Sequence, residues 1–265
     1  MSEITTERSD SVLRVQLNRP ASKNAMTSAM YIALADVFNS AAKDDQVRVV
    51  LWHAAGDSFC AGNDIADFLK NPPGAGESPQ ALLINALINF DKPIVVAVQG
   101  AAIGGGTTML THCDFVFAGE SAKFQLPFVN LALVPEFGSS FTLPARVGYL
   151  RAAELILTGQ FFDARRAAEL GLVTRVVPNQ ELLATATDTA QRLGQKAPAA
   201  VQSCKRLMKQ STRGQLQLAA KLENEEFSAR VRSTEAKDAF AAFLEKRPAN
   251  FSKTTTQASA AAVGA

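Results

Sequence analysis

With 265 residues, the chain is long enough to bury a sizeable core, either as one large domain or as a main domain with an appendage. Its 27 basic and 25 acidic residues leave a formal charge of +2 and are spread without a dense basic tract, so charge implies no nucleic-acid partner. Three scattered cysteines, a polar N-terminus without a secretory pattern and no apolar run of bilayer length point to a cytoplasmic protein with no membrane partner.

In chain order, "VLRVQL" (Val12 to Leu17) alternates as a half-buried strand. Pro20 then resets the chain before a helical stretch from Ser28 to Ala42. "VRVVLWHA" and "PIVVAVQG" are short β-branched runs separated by helical material, the pattern of buried strands with crossover helices, so the class is α/β. Between them "NPPGAGESPQ" (Asn71 to Gln80) reads as a mobile loop that admits substrate.

Two glycine-rich stretches follow strands. "SFCAGNDI" (Ser58 to Ile65) leads into a helix near Asp64, and "GAAIGGGTTML" (Gly100 to Leu110) follows the strand Ile94 to Val98 and runs into another helix start. Such strand-to-helix turns expose backbone N–H groups without intrahelical partners, where negative charge is stabilised. The second stretch lacks the lysine of a P-loop and the spacing of a dinucleotide fingerprint.

From about Pro178 the strand signals stop. Four helices are expected: "NQELLATATDTAQRLGQ", "PAAVQSCKRLMKQ", "GQLQLAAKLENEEFSARV" and "STEAKDAFAAFLEKR". The last stretch, "SKTTTQASAAAVGA", is low in complexity and reads as a disordered tail.

The order and spacing of "SFCAGNDI", "GAAIGGGTTMLTHCDFVFAGESAKFQLP" and "ARVGYLRAAELILTGQFFDARRAAELGLVTRVV" resemble the enoyl-CoA hydratase/isomerase (crotonase) family, from Leu17 to Phe251. The resemblance implies an α/β spiral of ββα turns over residues 1–195, a helical trimerisation region over 196–251, and a tail at 252–265. It also implies a homotrimer or homohexamer and an acyl-CoA thioester substrate. No separate cofactor or metal is implied, because coenzyme A belongs to the substrate.

Carried over by position, the family's oxyanion hole falls on the backbone N–H groups of Asn63 and Gly105. Lys23, Ala61, Asp64, Ile65, Phe128, Phe243 and Lys246 match positions that contact substrate or coenzyme A. The two glutamates that hold water in hydratases fall on Thr108 and Phe128, neither of which can act as a carboxylate base. An acid stands elsewhere instead. "PFVNLALVPEFGSS" resembles the peroxisomal-type Δ3,Δ2-enoyl-CoA isomerases, which implies that Glu136 is the single catalytic base. Outside that resemblance, a solvated turn residue is the ordinary reading of such an acid.

Three functions stay open at this point: an isomerase, a hydratase or thioester hydrolase using Glu136 in another pose, and a crotonase-fold protein that binds acyl-CoA or a macromolecule without turnover. His53 and His112, with Cys113 and Asp114 adjacent to the latter, have structural roles in this reading, since neighbours on one element do not converge as a triad.

Overall fold

A computed structural model describes residues 2–71 and 78–251. The tail at 252–265 and the centre of the loop at 71–80 lie outside the described residues. The chain opens with a hairpin, β1 (Ile4–Ser9) and β2 (Val12–Leu17), then α1 (Ser28–Lys43), β3 (Val49–Ala54), α2 (Ile65–Lys70), α3 (Pro79–Ile88) and β4 (Ile94–Val98). There follow β5 (Ala101–Ile103), the one-turn α4 (Gly105–Thr108), β6 (Phe115–Gly119), β7 (Lys123–Gln125), α5 (Ser139–Val147), α6 (Tyr149–Thr158), β8 (Phe162–Asp163), α7 (Ala164–Glu169) and β9 (Arg175–Val177). Three helices complete the described chain: α8 (Leu182–Gly194), α9 (Pro198–Val231) and α10 (Thr234–Leu244).

A six-stranded sheet runs β1-β2-β3-β4-β6-β9, parallel except for β1 at its edge, and a three-stranded sheet runs β5-β7-β8. A parallel sheet must be covered on both faces, and the alternation of the strands shows how. Val50, Trp52, Val96 and Val98 enter the main core with α1 and α3, while Val49, Leu51, Val95 and Ala97 pack with Leu182, Ala186 and Ala190 of α8. Phe38 of α1 meets Trp52 and Phe90 edge-on, with ring centroids 5.5 and 5.2 Å away.

Three differences from the sequence expectations have physical causes. The first is β1, whose "TTERS" is polar because an edge strand keeps its side chains in water, and charge there blocks pairing with other chains. The second is β5, which interrupts the turn expected between Val98 and the following helix and pairs with β7.

The third is α9, a single helix of 34 residues where two were expected, with Gly214 taken as the second start. Gly214 instead lies exposed within it, where glycine costs a helix only about 1 kcal/mol relative to alanine. Arg213 beside it is held by Asp91 at 2.6 Å. Nor is α9 a mere appendage: Leu216, Ala220, Phe227 and Val231 belong to the main core. No helix of the described residues is long and apolar enough to cross a membrane.

A methyl group at Gly214 meets nothing within 4 Å. Gly214→Ala is therefore expected to raise the unfolding free energy by about 1 kcal/mol in urea titrations. A loss of stability would argue against a continuous helix at this point.

Candidate active site

The two glycine-rich turns are drawn together by backbone pairing. Cys60 N–H donates to Ala101 O at 2.9 Å and Ile103 N–H to Cys60 O at 2.9 Å, a parallel bridge between the first turn and β5. The approach is so close that a Cβ on Gly106 would sit 2.6 Å from Cys60 O, which is why glycine stands there. On its other side the first turn bridges to Met26: Met26 N–H donates to Gly62 O, and Asp64 N–H to Met26 O. The alternation of such a ladder turns the N–H of Asn63 away from that pairing. The N–H of Gly105, first residue of α4, has no intrahelical acceptor either.

Between these turns and the C-terminal helices lies a cleft of about 270 Å³. Its apolar walls include Ile65, Phe68, Leu133, Phe227 and Phe240, and Phe68 makes edge contacts with both Phe227 and Phe240. Glu136 is the one acidic side chain among the described residues that line it.

Glu136 is 6 % exposed, and its Oε1 has no hydrogen-bond partner. Its carboxyl is pushed up to about 7 as the net of several effects, of which burial is the largest. The nearby Glu223 acts in the same direction as burial, whereas the Asn63 amide and the Gly105 N–H act in the opposite direction. A Cβ on Gly105 would lie 3.0 Å from Glu136 Oε1 and 3.1 Å from the Tyr31 hydroxyl, so carboxyl, phenol and the α4 N-terminus share one spot. Tyr31 donates to Asn63 Oδ1 at 2.7 Å and fixes that side chain. Burial first, then the charge of Glu136, pushes the Tyr31 hydroxyl well above its ordinary value, so it stays a donor.

Of the positions singled out from the sequence, Ala61, Asn63, Ile65, Gly105, Phe128, Glu136 and Phe243 line the cleft. Asp64 lies outside that lining: one oxygen caps α2 through Asp67 N–H at 3.0 Å and the other pairs with Arg19 at 2.7 Å. Lys23 and Lys246 occupy exposed turns outside the lining. The Thr108 hydroxyl is buried against Gly104 O and Gly105 O, also away from the cleft.

His112 is structural, as read. Burial keeps it neutral, down to about 3, and its Nε2–H donates to Phe137 O at 2.8 Å. Sequence reasoning missed Tyr31, Phe227, Phe240, Arg247 and Glu223. For Glu223 a signal existed: Leu216, Ala220, Glu223, Phe227 and Val231 form one helical stripe, and an acid in an otherwise apolar stripe is out of place. Among the described residues no cluster of histidine, cysteine or acidic side chains could hold a metal.

A layered α/β core of this topology followed by a helical C-terminal region is the crotonase fold. In keeping with this, a solved enoyl-CoA hydratase/isomerase from Pseudoalteromonas atlantica T6c superposes with a TM-score of 0.90 at 41 % identity, covering 94 % of this chain and all of that one. A family model described as enoyl-CoA hydratase/isomerase matches residues 7–254, and the chain belongs to that family of acyl-CoA enzymes. It is 32 % identical over 252 residues to 2,3-dehydroadipyl-CoA hydratase of Escherichia coli, covering 95 % of this chain and 99 % of that one. It is 31 % identical over 243 residues to enoyl-CoA delta isomerase 2 of Rattus norvegicus, covering 89 % of this chain and 62 % of that one.

The raised carboxyl has a thermodynamic signature. Between an unfolded value near 4.5 and a folded value of about 7 the native state holds the extra proton, so stability falls as pH rises through that window. Relative to Glu136→Gln, the wild type is expected to lose up to about 3 kcal/mol between pH 4 and pH 8 in urea melts. Parallel profiles would mean that Glu136 is not perturbed.

Proposed function

We propose that the protein is a Δ3,Δ2-enoyl-CoA isomerase that shifts a double bond by proton transfer on one base. The observation that carries this reading is Glu136, the single acid among the described lining residues, held near neutrality in an apolar cleft beside a backbone donor. In the proposed cycle the Glu136 carboxylate takes a proton from C2 of a 3-enoyl thioester. The electron pair of the broken C–H bond delocalises over C2, C3 and C4 and onto the thioester oxygen.

That oxygen lies between the N–H groups of Asn63 and Gly105, where each donor is worth on the order of 3 kcal/mol to the transition state. Glu136 then returns the proton at C4, leaving the double bond at C2. The acyl chain runs along Ile65, Phe68 and Phe227, and the coenzyme A portion lies toward Phe243 and Arg247 at the rim, with Lys23 and Lys246 offering charge to its phosphates. A base near pH 7 matches the task, since a carboxyl of ordinary acidity is a poorer acceptor for a carbon-bound proton.

Hydration fits less well. Water addition needs a polarised water held between acids, and the cleft offers Phe128 and Glu136.

The assembly belongs to the same proposal: a trimer or a pair of trimers. Tyr149, Leu150 and Leu157 of α6 and Leu207, Met208, Leu218 and Leu222 of α9 are exposed in the single chain, more apolar surface than an isolated subunit needs. Light scattering at micromolar concentration should give three or six subunit masses, and a monomer would refute it.

Glu136→Gln should keep acyl-CoA affinity while lowering 3-enoyl-CoA isomerisation by about 10²-fold or more. Thr108→Ala should leave the rate within a few-fold. Wild-type turnover should decline as pH falls through about 7, because only the ionised carboxylate accepts the proton. Near-normal isomerisation by Glu136→Gln, or faster turnover of 2-enoyl-CoA with water than of 3-enoyl-CoA, would overturn the assignment.

A further inference from the structure

The turn that carries Glu136 is conformationally costly. Phe137 and Gly138 have φ of +62° and +68°, two successive left-handed residues, and a bulky side chain such as Phe137 rarely adopts that region. Such a turn persists only where its surroundings fix it. Ser139 closes it from within, donating from N–H and hydroxyl to Glu136 O at 3.2 and 2.6 Å. His112 fastens Phe137 O.

The remaining clamp comes from 85 residues away. Glu223 of α9 accepts from Gly138 N–H through Oε2 and from Ser140 N–H through Oε1, both at 2.6 Å. Gly138 precedes α5 and Ser140 is its second residue, and Gly138 offers no side chain to cap the helix start. Both Glu223 oxygens are occupied by backbone donors, so it is not placed to touch substrate. It nevertheless lines the same small space of about 10 Å³ as Glu136.

We propose that Glu223 is a positioning residue for the base: its carboxylate, bridging the Gly138 and Ser140 N–H groups, holds the left-handed turn that aims Glu136 into the cleft. The proposal rests on the reading of Glu136 as the base. The link is electrostatic as well as geometric, because Glu223 is a like charge that raises the proton affinity of Glu136. The other titratable groups facing Glu136 are Tyr31 of α1 and Cys60 of the first glycine-rich turn, both held protonated by burial, and neutral His112 touches the next residue.

Three variants test this, each assayed with 3-enoyl-CoA across pH. Glu223→Gln keeps size but removes the charge and one acceptor. It should lower kcat about tenfold with KM within about twofold, and move the acid limb of the kcat profile to lower pH. Glu223→Asp keeps the charge but not the reach: kcat should drop similarly while the limb stays closer to the wild-type position. Glu225→Gln, the same change at an exposed position of α9, controls for folding and for loss of a charge and should stay within about threefold of wild type.

If Glu223→Gln and Glu223→Asp lower only the melting temperature, with kcat and its acid limb unchanged, Glu223 is a helix cap and the proposal is wrong. Loss of fold in both Glu223 variants, with Glu225→Gln folded, would likewise make Glu223 a structural residue. Glu136→Gln in the same assay separates the two levels. If it remains active, the base assignment fails and this proposal with it; if it is inactive while the Glu223 variants behave as wild type, only the positioning role fails.

Discussion

Keeping one carboxyl out of water, with an oxygen that has no hydrogen-bond partner, is the constraint around which the molecule is organised. An unsatisfied buried acceptor costs roughly 1–3 kcal/mol, and a charged one more. Glu136 tolerates this because the group can stay protonated at modest cost, and because the core that surrounds it is large enough to absorb the penalty. The sheets, the paired glycine-rich turns and the C-terminal helices converge on that side chain. The first two set donors beside it, and the third shuts out solvent and braces its turn.

Two opposed effects set the proton affinity of Glu136. Burial and the second carboxylate raise it, while the Asn63 amide and the Gly105 N–H lower it. In the proposed reaction those lowering contacts are the ones that change. Once a thioester oxygen takes the Gly105 N–H, Glu136 loses part of what favours its charged form and becomes a better proton acceptor as substrate arrives. The donor then serves charge that develops on the substrate instead of charge already on the enzyme.

How far the sequence discloses this structure follows from the kind of information each part carries. The strands through Leu51 and Val96 are legible because β-branched runs buried on both faces have few other readings. The edge strand "ITTERS" is not, since its pattern is shaped by solvent and by the need to avoid pairing. Gly214 misleads because an exposed glycine in a long helix costs less than neighbouring contacts return. At the site, Asn63, Gly105 and Glu136 lie in short motifs and can be located by resemblance. Tyr31 and Glu223 act through contacts between distant segments, and Asp64 answers to a local cap and to Arg19. Only Glu223 left a trace, as an acid on an apolar stripe.

The separation of Glu223 from the turn it braces has a meaning in time as well as in space. A ribosome delivers α9 only after the sheets, both glycine-rich turns and Glu136 itself have been made. Domains can begin to fold as they emerge. A nascent chain could therefore assemble its strands and pair its two turns while the 136–140 segment still lacked its outside clamp and the cleft lacked the wall formed by Phe227 and Phe240. The left-handed turn would have little to hold it, and the carboxyl would stand in water with ordinary acidity. The making of α9 thus coincides with the withdrawal of Glu136 from water, and a chain cut short before α9 would carry that carboxyl without the burial that raises its proton affinity.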